Sequence, residues 1–281
     1  MKIISSISRL RKELDYERRR GRSIGFVPTM GALHEGHASL IRQCRRENDV
    51  VVISIFVNPI QFGPAEDFSA YPRQKQKDVQ LAEQNGCDIV FHPDARQLLP
   101  SGFNTYVEVP QLSRGLCGAS RPGHFRGAAT IVAKFFNIIN PHRAYFGQKD
   151  YQQLAIIKMM VADLNFPITI REVKTYRASD GLAMSSRNVY LSQDQRKEAP
   201  AIYHALQKAR QKIRNGEVDA AKIKLMVKTH ITRNSSGKID YVECVDAKEL
   251  SPLKTIKGRC LIAVAVFFGK TRLIDNILLQ I

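Results

Sequence analysis

The chain has 281 residues, enough for two ordinary domains with self-sufficient cores, and its 44% hydrophobic and 25% charged residues are those of a globular protein, not a disordered or fibrous one. A formal net charge of +17 raises nucleic acid as a partner, but residues 1–175 hold 24 Lys and Arg against 16 Asp and Glu (+8) and residues 176–281 hold 19 against 10 (+9). An excess spread this evenly, with no basic tail or aromatic-interleaved stripe, sets RNA aside and suits anionic small molecules.

In chain order, the N-terminal twenty residues become heavily charged without the apolar stretch of a signal peptide, so a cytoplasmic location is expected. Residues 23–57 then read as a βαβ unit: SIGFV, a Gly/Pro loop, a helical pattern through Ala38, Leu40, Ile41 and Cys44, and the run VVVISIFV. The alternation repeats, with a helical stretch near Asp78 leading into DIVF, GAATIVAKFFNII into RAYF, and DYQQLAIIKMMVADL into ITIREV. It predicts a Rossmann-like, doubly wound parallel sheet with both faces covered. Beyond Lys174 the pattern changes to two helical stretches, 193–214 and 219–232, followed by DYVECV, RCLIAVAVFF and TRLIDNILL, with a Gly-Lys turn between the last two. A domain boundary near 175 follows, with a first domain over 1–175 and a smaller C-terminal α+β domain over 176–281 containing an antiparallel sheet. The apolar runs 50–57 and 261–268 are too short for a bilayer and read as buried strands. Five cysteines at wide spacing, without a CxxC pair, read as reduced packing residues.

Three motifs fall at the ends of predicted strands, where open parallel sheets bind ligands, and a fourth lies in a loop just past the domain boundary. In Met30-Gly31-Ala32-Leu33-His34-Glu35-Gly36-His37, two imidazoles three residues apart sit at the start of a helix, facing the positive end of its dipole. The glycines allow a close backbone approach, and the combination is suited to phosphate. Zinc is the other use of such a pair, but no third ligand is near in sequence. Asn58-Pro59-Ile60-Gln61 follows a strand, and Gln61 offers donor and acceptor to a hydroxyl-rich substrate. In Gly147-Gln148-Lys149-Asp150, Lys149 is a point charge for phosphate and Asp150 either shares the site or caps the next helix, in which Gln153 lies one turn on. Met184-Ser185-Ser186-Arg187 places two hydroxyls and a guanidinium in a loop, a set fitted to a triphosphate.

The His-x-Gly-His motif with a mobile basic loop resembles the nucleotidyltransferases and class I aminoacyl-tRNA synthetases. Taken together, PTMGALHEGH, NPIQFG, AYPR, FGQKDYQQL and DGLAMSSRN resemble the pantothenate synthetase family over residues 23–191. The resemblance implies an ATP-dependent condensation of pantoate with β-alanine through a pantoyl adenylate. It also implies a homodimer, Mg2+, and a C-terminal domain acting as a lid. By that resemblance residues 30–37, 147–150, Tyr176 and 184–187 line the ATP site, with His34, His37, Lys149 and Arg187 stabilising charge and His37 as proton donor. Gln61 and Gln153 hold pantoate, β-alanine arrives beside Gln61, and Asp78 matches a carboxylate associated with magnesium. Two positions depart from the family pattern: Lys77 stands where an acidic residue is frequent, and Tyr176 where a small aliphatic one is usual. Arg121 and His124, in the loop CGASRPGHFRG, either help receive β-alanine or border a flexible gate, and are not assigned to the site. The alternatives are a nucleotidyltransferase that keeps its nucleotidyl product and a basic, non-catalytic RNA-binding protein. No membrane partner is expected.

Overall fold

In the computed structural model, which describes residues 1–64 and 66–281, the β-branched runs form two sheets. The chain divides into two compact units, one comprising residues 1–113, 121–148 and 153–174, the other 114–120, 149–152 and 175–281.

The first unit is built on β1 (Lys2–Ile4), β2 (Ile24–Thr29), β3 (Val50–Ile55), β4 (Ile89–Phe91), β5 (Arg143–Gly147) and β6 (Thr169–Val173). All pairings are parallel, in the order β1-β4-β3-β2-β5-β6. From β2 the chain steps outward through β3 and β4, then returns to the other side of β2 as β5, so the winding reverses between β2 and β5. Every residue of β3 is buried, as a strand covered on both faces requires. Alternation along β2 sends Val27 into a cluster with Leu40, Ile41, Ile53 and Val90. Phe26 goes to the other face, where its ring meets Phe135 at 5.6 Å, as Phe56 and Phe91 do at 6.3 and 6.1 Å. Phe135 belongs to the helix His124–Ile139, nearly all of it buried. Two glycines permit the closest approaches. A Cβ on Gly25 would lie 2.3 Å from Cys44 Sγ, and one on Gly127 would lie 2.1 Å from the Ile60 carbonyl oxygen. The edge strand β1 and the helix Ile7–Arg19 were not anticipated, since a three-residue strand and a helix dense in charge leave little hydrophobic pattern.

The second unit holds an antiparallel sheet of β7 (Lys238–Asp246), β8 (Arg259–Phe268) and β9 (Thr271–Gln280). The β8–β9 hairpin closes at the Gly-Lys pair, where Gly269 takes the left-handed conformation. Its core joins Leu206, Ile223, Val227, Ile262 and Val264 from the helices Ala201–Arg214 and Ala220–Asn234 and the sheet. The helix expected over 193–214 is two helices, Gln193–Glu198 and Ala201–Arg214, because Pro200 has no N–H to continue the first. Two short segments from within 1–175 belong to this unit. Here the Gln152 amide brackets the first of them, donating to the Gly115 carbonyl at 2.8 Å and accepting from the Cys117 N–H at 3.0 Å.

All five cysteines are free and buried. Burial pushes the thiols of Cys87 and Cys244 up to about 12, and raises Cys44 and Cys260 as well. No helix among the described residues is long and apolar enough to cross a membrane.

Candidate active site

The loop leaving β2 is fixed by its own backbone. The Thr29 hydroxyl donates to the Ser54 carbonyl at 2.6 Å and accepts from the Gly31 N–H at 3.2 Å. Gly31 and Ala32 both adopt positive φ, 82° and 49°. At Gly31 the close fit also requires glycine, since a Cβ would lie 3.0 Å from Asp78 Oδ2 and 3.1 Å from Ile55 Cγ2. Asp78, 2% exposed, reaches in from the helix Lys75–Gln84 and accepts from the N–H groups of Ala32 at 3.0 Å and Leu33 at 2.7 Å. Burial holds this carboxyl above the usual carboxylate range, against the opposing pull of the two amides and of His92.

That loop delivers His34 as the N-cap of the helix Glu35–Glu47. Its Nδ1 accepts from the Gly36 N–H at 3.1 Å, and His37 Nδ1 accepts from the His34 N–H at 3.3 Å, a reciprocal capping box made by two imidazoles. The rings pack with centroids 4.1 Å apart. With both Nδ1 atoms accepting, the neutral rings carry their protons on Nε2, which makes a pair of donors at a helix N-terminus. Glu35, the acidic side chain of this turn, is drawn into an ion pair with Arg42.

The neighbouring strand β5 ends at Gly147, beyond which the Gln148 amide donates to Glu172 at 3.0 Å. β2 and β5 are paired, so the histidine loop and Gly147 leave the sheet at the reversal of winding, where ligands bind in this architecture. After β3, Gln61 is held from three directions. Its Oε1 accepts from Asn58 Nδ2 at 2.9 Å, its Nε2 donates to Met30 Sδ at 2.9 Å, and its carbonyl meets His124 Nδ1 at 2.8 Å. His124 Nε2 faces Arg121 Nη1 at 3.0 Å, a donor, so Nδ1 is the ring atom that donates to Gln61. Arg121 is in turn paired with Glu66. Asn58 also donates to the Gly127 carbonyl at 3.0 Å. Asn58, Arg121, His124 and Glu66 thus belong to the setting of Gln61, and sequence reasoning missed that role. The Asn-Pro turn was the one available signal, because Arg121 and His124, which link Glu66 to Gln61, are distant in sequence. Gln153 is half-buried in the helix Tyr151–Asp163.

In the second unit Lys149 and Asp150 lie in a short turn, 3.6 Å apart as an ion pair, with the Lys149 side chain 17% exposed. The basic loop follows a small hairpin. Arg177 and Ala183 are bridged, Met184 N–H donates to the Tyr176 carbonyl at 3.0 Å, and Ala178 N–H donates to the Leu182 carbonyl at 2.9 Å. Tyr176 therefore enters through its backbone while its side chain is exposed. Ser185 caps the turn Ser186–Tyr190, accepting from the Arg187 N–H at 3.3 Å. Lys149, Ser185, Asn188 and Asp275 line a small recess.

Asp78 is the carboxylate that the resemblance associates with magnesium. Both its oxygens are engaged by loop amides, and among the described residues no group of three or more His, Cys, Asp or Glu is placed to hold a metal. This donor set does not fit a resident magnesium ion.

Residues 2–278 match the model of the pantoate-beta-alanine ligase family. The chain belongs to that family. It is 52% identical over 279 residues to the pantothenate synthetase of Thermotoga neapolitana, covering 99% of this chain and all of that one. With the pantothenate synthetase of Moorella thermoacetica it shares 52% identity over 281 residues, covering 100% of this chain and 99% of the relative. The crystal structure of the pantothenate synthetase of Thermus thermophilus superposes with a TM-score of 0.94 at 44% identity, covering 99% of each chain. The pantoate-beta-alanine ligase of Francisella tularensis, solved in complex with beta-gamma ATP and beta-alanine, superposes at 0.80 and 34% identity, covering 99% and 97%. Membership spans both units, including the C-terminal stretch that carries no diagnostic motif of the family.

Proposed function

We infer that this protein condenses pantoate with β-alanine in an ATP-dependent reaction through a pantoyl adenylate. The observation that carries the reading, in a member of this family, is the stacked His34–His37 pair capping a helix where the winding reverses. In the first step the pantoate carboxylate attacks the α-phosphorus of ATP, and pyrophosphate leaves. The protein's part is alignment and charge stabilisation. His34 and His37 offer Nε2–H donors, and the family resemblance assigns Lys149, Ser185, Ser186 and Arg187 to ATP as well. In the second step the free amine of β-alanine attacks the acyl carbon of the mixed anhydride, the acyl–oxygen bond breaks, and AMP leaves.

Gln61, held by Asn58 and His124, and Gln153 recognise pantoate, and β-alanine arrives beside Gln61. Neutral amides match the hydroxyls and carboxylate of pantoate without the charge pairing that would blunt its nucleophilicity. Residues 176–281 act as a lid that keeps water from the adenylate. Magnesium arrives on the phosphates of ATP, and no step above runs through it. A homodimer in the cytoplasm, with neither RNA nor membrane as a partner, completes the proposal. The test is pyrophosphate release from ATP with pantoate alone and with β-alanine added. Pantoate alone should give a release limited to one equivalent of enzyme, and β-alanine should make it catalytic. Sustained release that ignores β-alanine would favour a nucleotidyltransferase instead.

A further inference from the structure

The hairpin that carries Ser185 and Arg187 is rooted by Arg177. The Arg177 guanidinium donates from Nη1 to Asp275 Oδ2 at 2.6 Å and from Nη2 to Asp275 Oδ1 at 2.8 Å, and Nη1 also reaches the Gly181 carbonyl at 3.1 Å. It lies 3.9 Å over the ring of Tyr203. Gly181 seats the turn against that ring, since a Cβ there would lie 2.3 Å from Tyr203 Cδ1. The pair is withdrawn from water, with side chains 16% and 4% exposed. The next residue on β9, Asn276, donates from Nδ2 to the Lys149 carbonyl at 2.9 Å, while its own N–H donates to Asp275 Oδ1 at 2.8 Å. Consecutive residues of one strand therefore meet the backbone of Lys149 and the root of the hairpin that precedes Ser185 and Arg187.

Stability alone is a poor reason for this arrangement. A desolvated ion pair contributes little compared with well-packed apolar side chains of the same volume. A bidentate fork stacked on an aromatic ring does fix the direction of the guanidinium, and with it the backbone from Arg177 to Ala183.

We propose that Asp275 and Asn276 are positioning residues for adenylate formation, Asp275 acting through Arg177 on the loop 184–187 and Asn276 acting on Lys149. The proposal rests on the reading that Lys149 and Arg187 bind ATP. The experiment measures pantoate-dependent exchange of pyrophosphate into ATP, with KM for ATP and kcat separated, alongside unfolding in denaturant. Arg177→Lys keeps the charge but cannot serve both carboxylate oxygens and the Gly181 carbonyl. Asp275→Asn keeps the shape but loses one acceptor. Each should lower kcat/KM for ATP by roughly 10²-fold, the scale of a small misplacement of catalytic groups, with KM for β-alanine unchanged. Asn276→Leu should act in the same direction and less strongly.

The double variant Arg177→Met with Asp275→Leu separates positioning from support. It should recover stability and leave exchange impaired. Recovery of both stability and exchange would make the pair merely structural and overturn the proposal, as would parental KM and kcat in Arg177→Lys and Asp275→Asn. Lys149→Ala and Arg187→Ala run in parallel. Parental exchange in those two would overturn the ATP-site reading itself, whereas their loss beside normal Arg177 and Asp275 variants would overturn only the positioning role.

Discussion

The two candidate phosphate loops, one in each unit, are held by opposite means. The histidine loop is a main-chain cradle in which Gly31 and Ala32 take positive φ and the N–H groups of Ala32 and Leu33 meet Asp78, and the helix cap consumes one nitrogen of each imidazole. The Ser185–Arg187 loop hangs from a side-chain fork, its hairpin rooted by Arg177 on Asp275. A cradle of amides has few ways to relax. A loop held by a rotatable guanidinium keeps its direction only while both carboxylate oxygens stay in place. The first arrangement suits a loop of fixed shape, and the second makes the direction of a loop depend on one ion pair.

The largest effects should come from removing the groups themselves. His37→Ala and Lys149→Ala should fold normally and lose roughly 10² to 10³ in the rate of adenylate formation, as when one donor to a developing charge is deleted. Near-normal single-turnover rates in either variant would remove that residue from the mechanism. Next are Gln61→Ala and Gln153→Ala, which should weaken pantoate binding by about 1–3 kcal/mol, the cost of leaving buried polar groups unpaired, while ATP binding stays within a few-fold. Calorimetric titration with ATP, and with pantoate beside a non-hydrolysable ATP analogue, reads both. Equal pantoate affinity in parent and variants would sink the substrate assignment.

Asp78→Asn tests the cradle directly. An amide can accept from one of the two N–H groups and must turn its own NH2 toward the other, so a loss of about 1–3 kcal/mol in unfolding free energy is expected. A variant as stable as the parent would mean that the loop does not depend on this carboxylate. The smallest effect is on pH dependence. Burial raises the folded-state pKa of Asp78, so the folded chain binds this proton more readily than the unfolded one. Its contribution to stability is fully present below the unfolded pKa and is lost as pH rises through the folded value. The stability of the parent relative to Asp78→Asn should therefore decline across that window, and denaturation curves at stepped pH that differ by a constant would contradict it.

The histidine loop was legible in the sequence as a position, because a β-branched run marked the strand and a Gly/Pro cluster the turn at its end, whereas the Ser185–Arg187 loop was read only from its resemblance to a basic phosphate loop. Neither loop's support was legible. Asp78 could be read as a carboxylate near a nucleotide loop, but which atoms a buried carboxylate meets is a property of the packed chain. The pair Arg177–Asp275 spans 98 residues, and no local pattern announces it. For the same reason a single boundary at 175 does not express the grouping of segments 114–120 and 149–152 with the C-terminal stretch. The break before Pro200, by contrast, was visible in the chain and was passed over in favour of a longer helical period.

The buried cysteines give each unit its own clock. With thiols raised well above neutral pH and side chains shut away from solvent, hardly any thiolate is offered to a reagent while the chain stays folded. A labelling event at Cys44 or Cys87 then timestamps an opening of the first unit, and one at Cys244 or Cys260 an opening of the second. The native protein is thereby equipped to tell, without any engineered probe, whether its two units come apart together or one before the other.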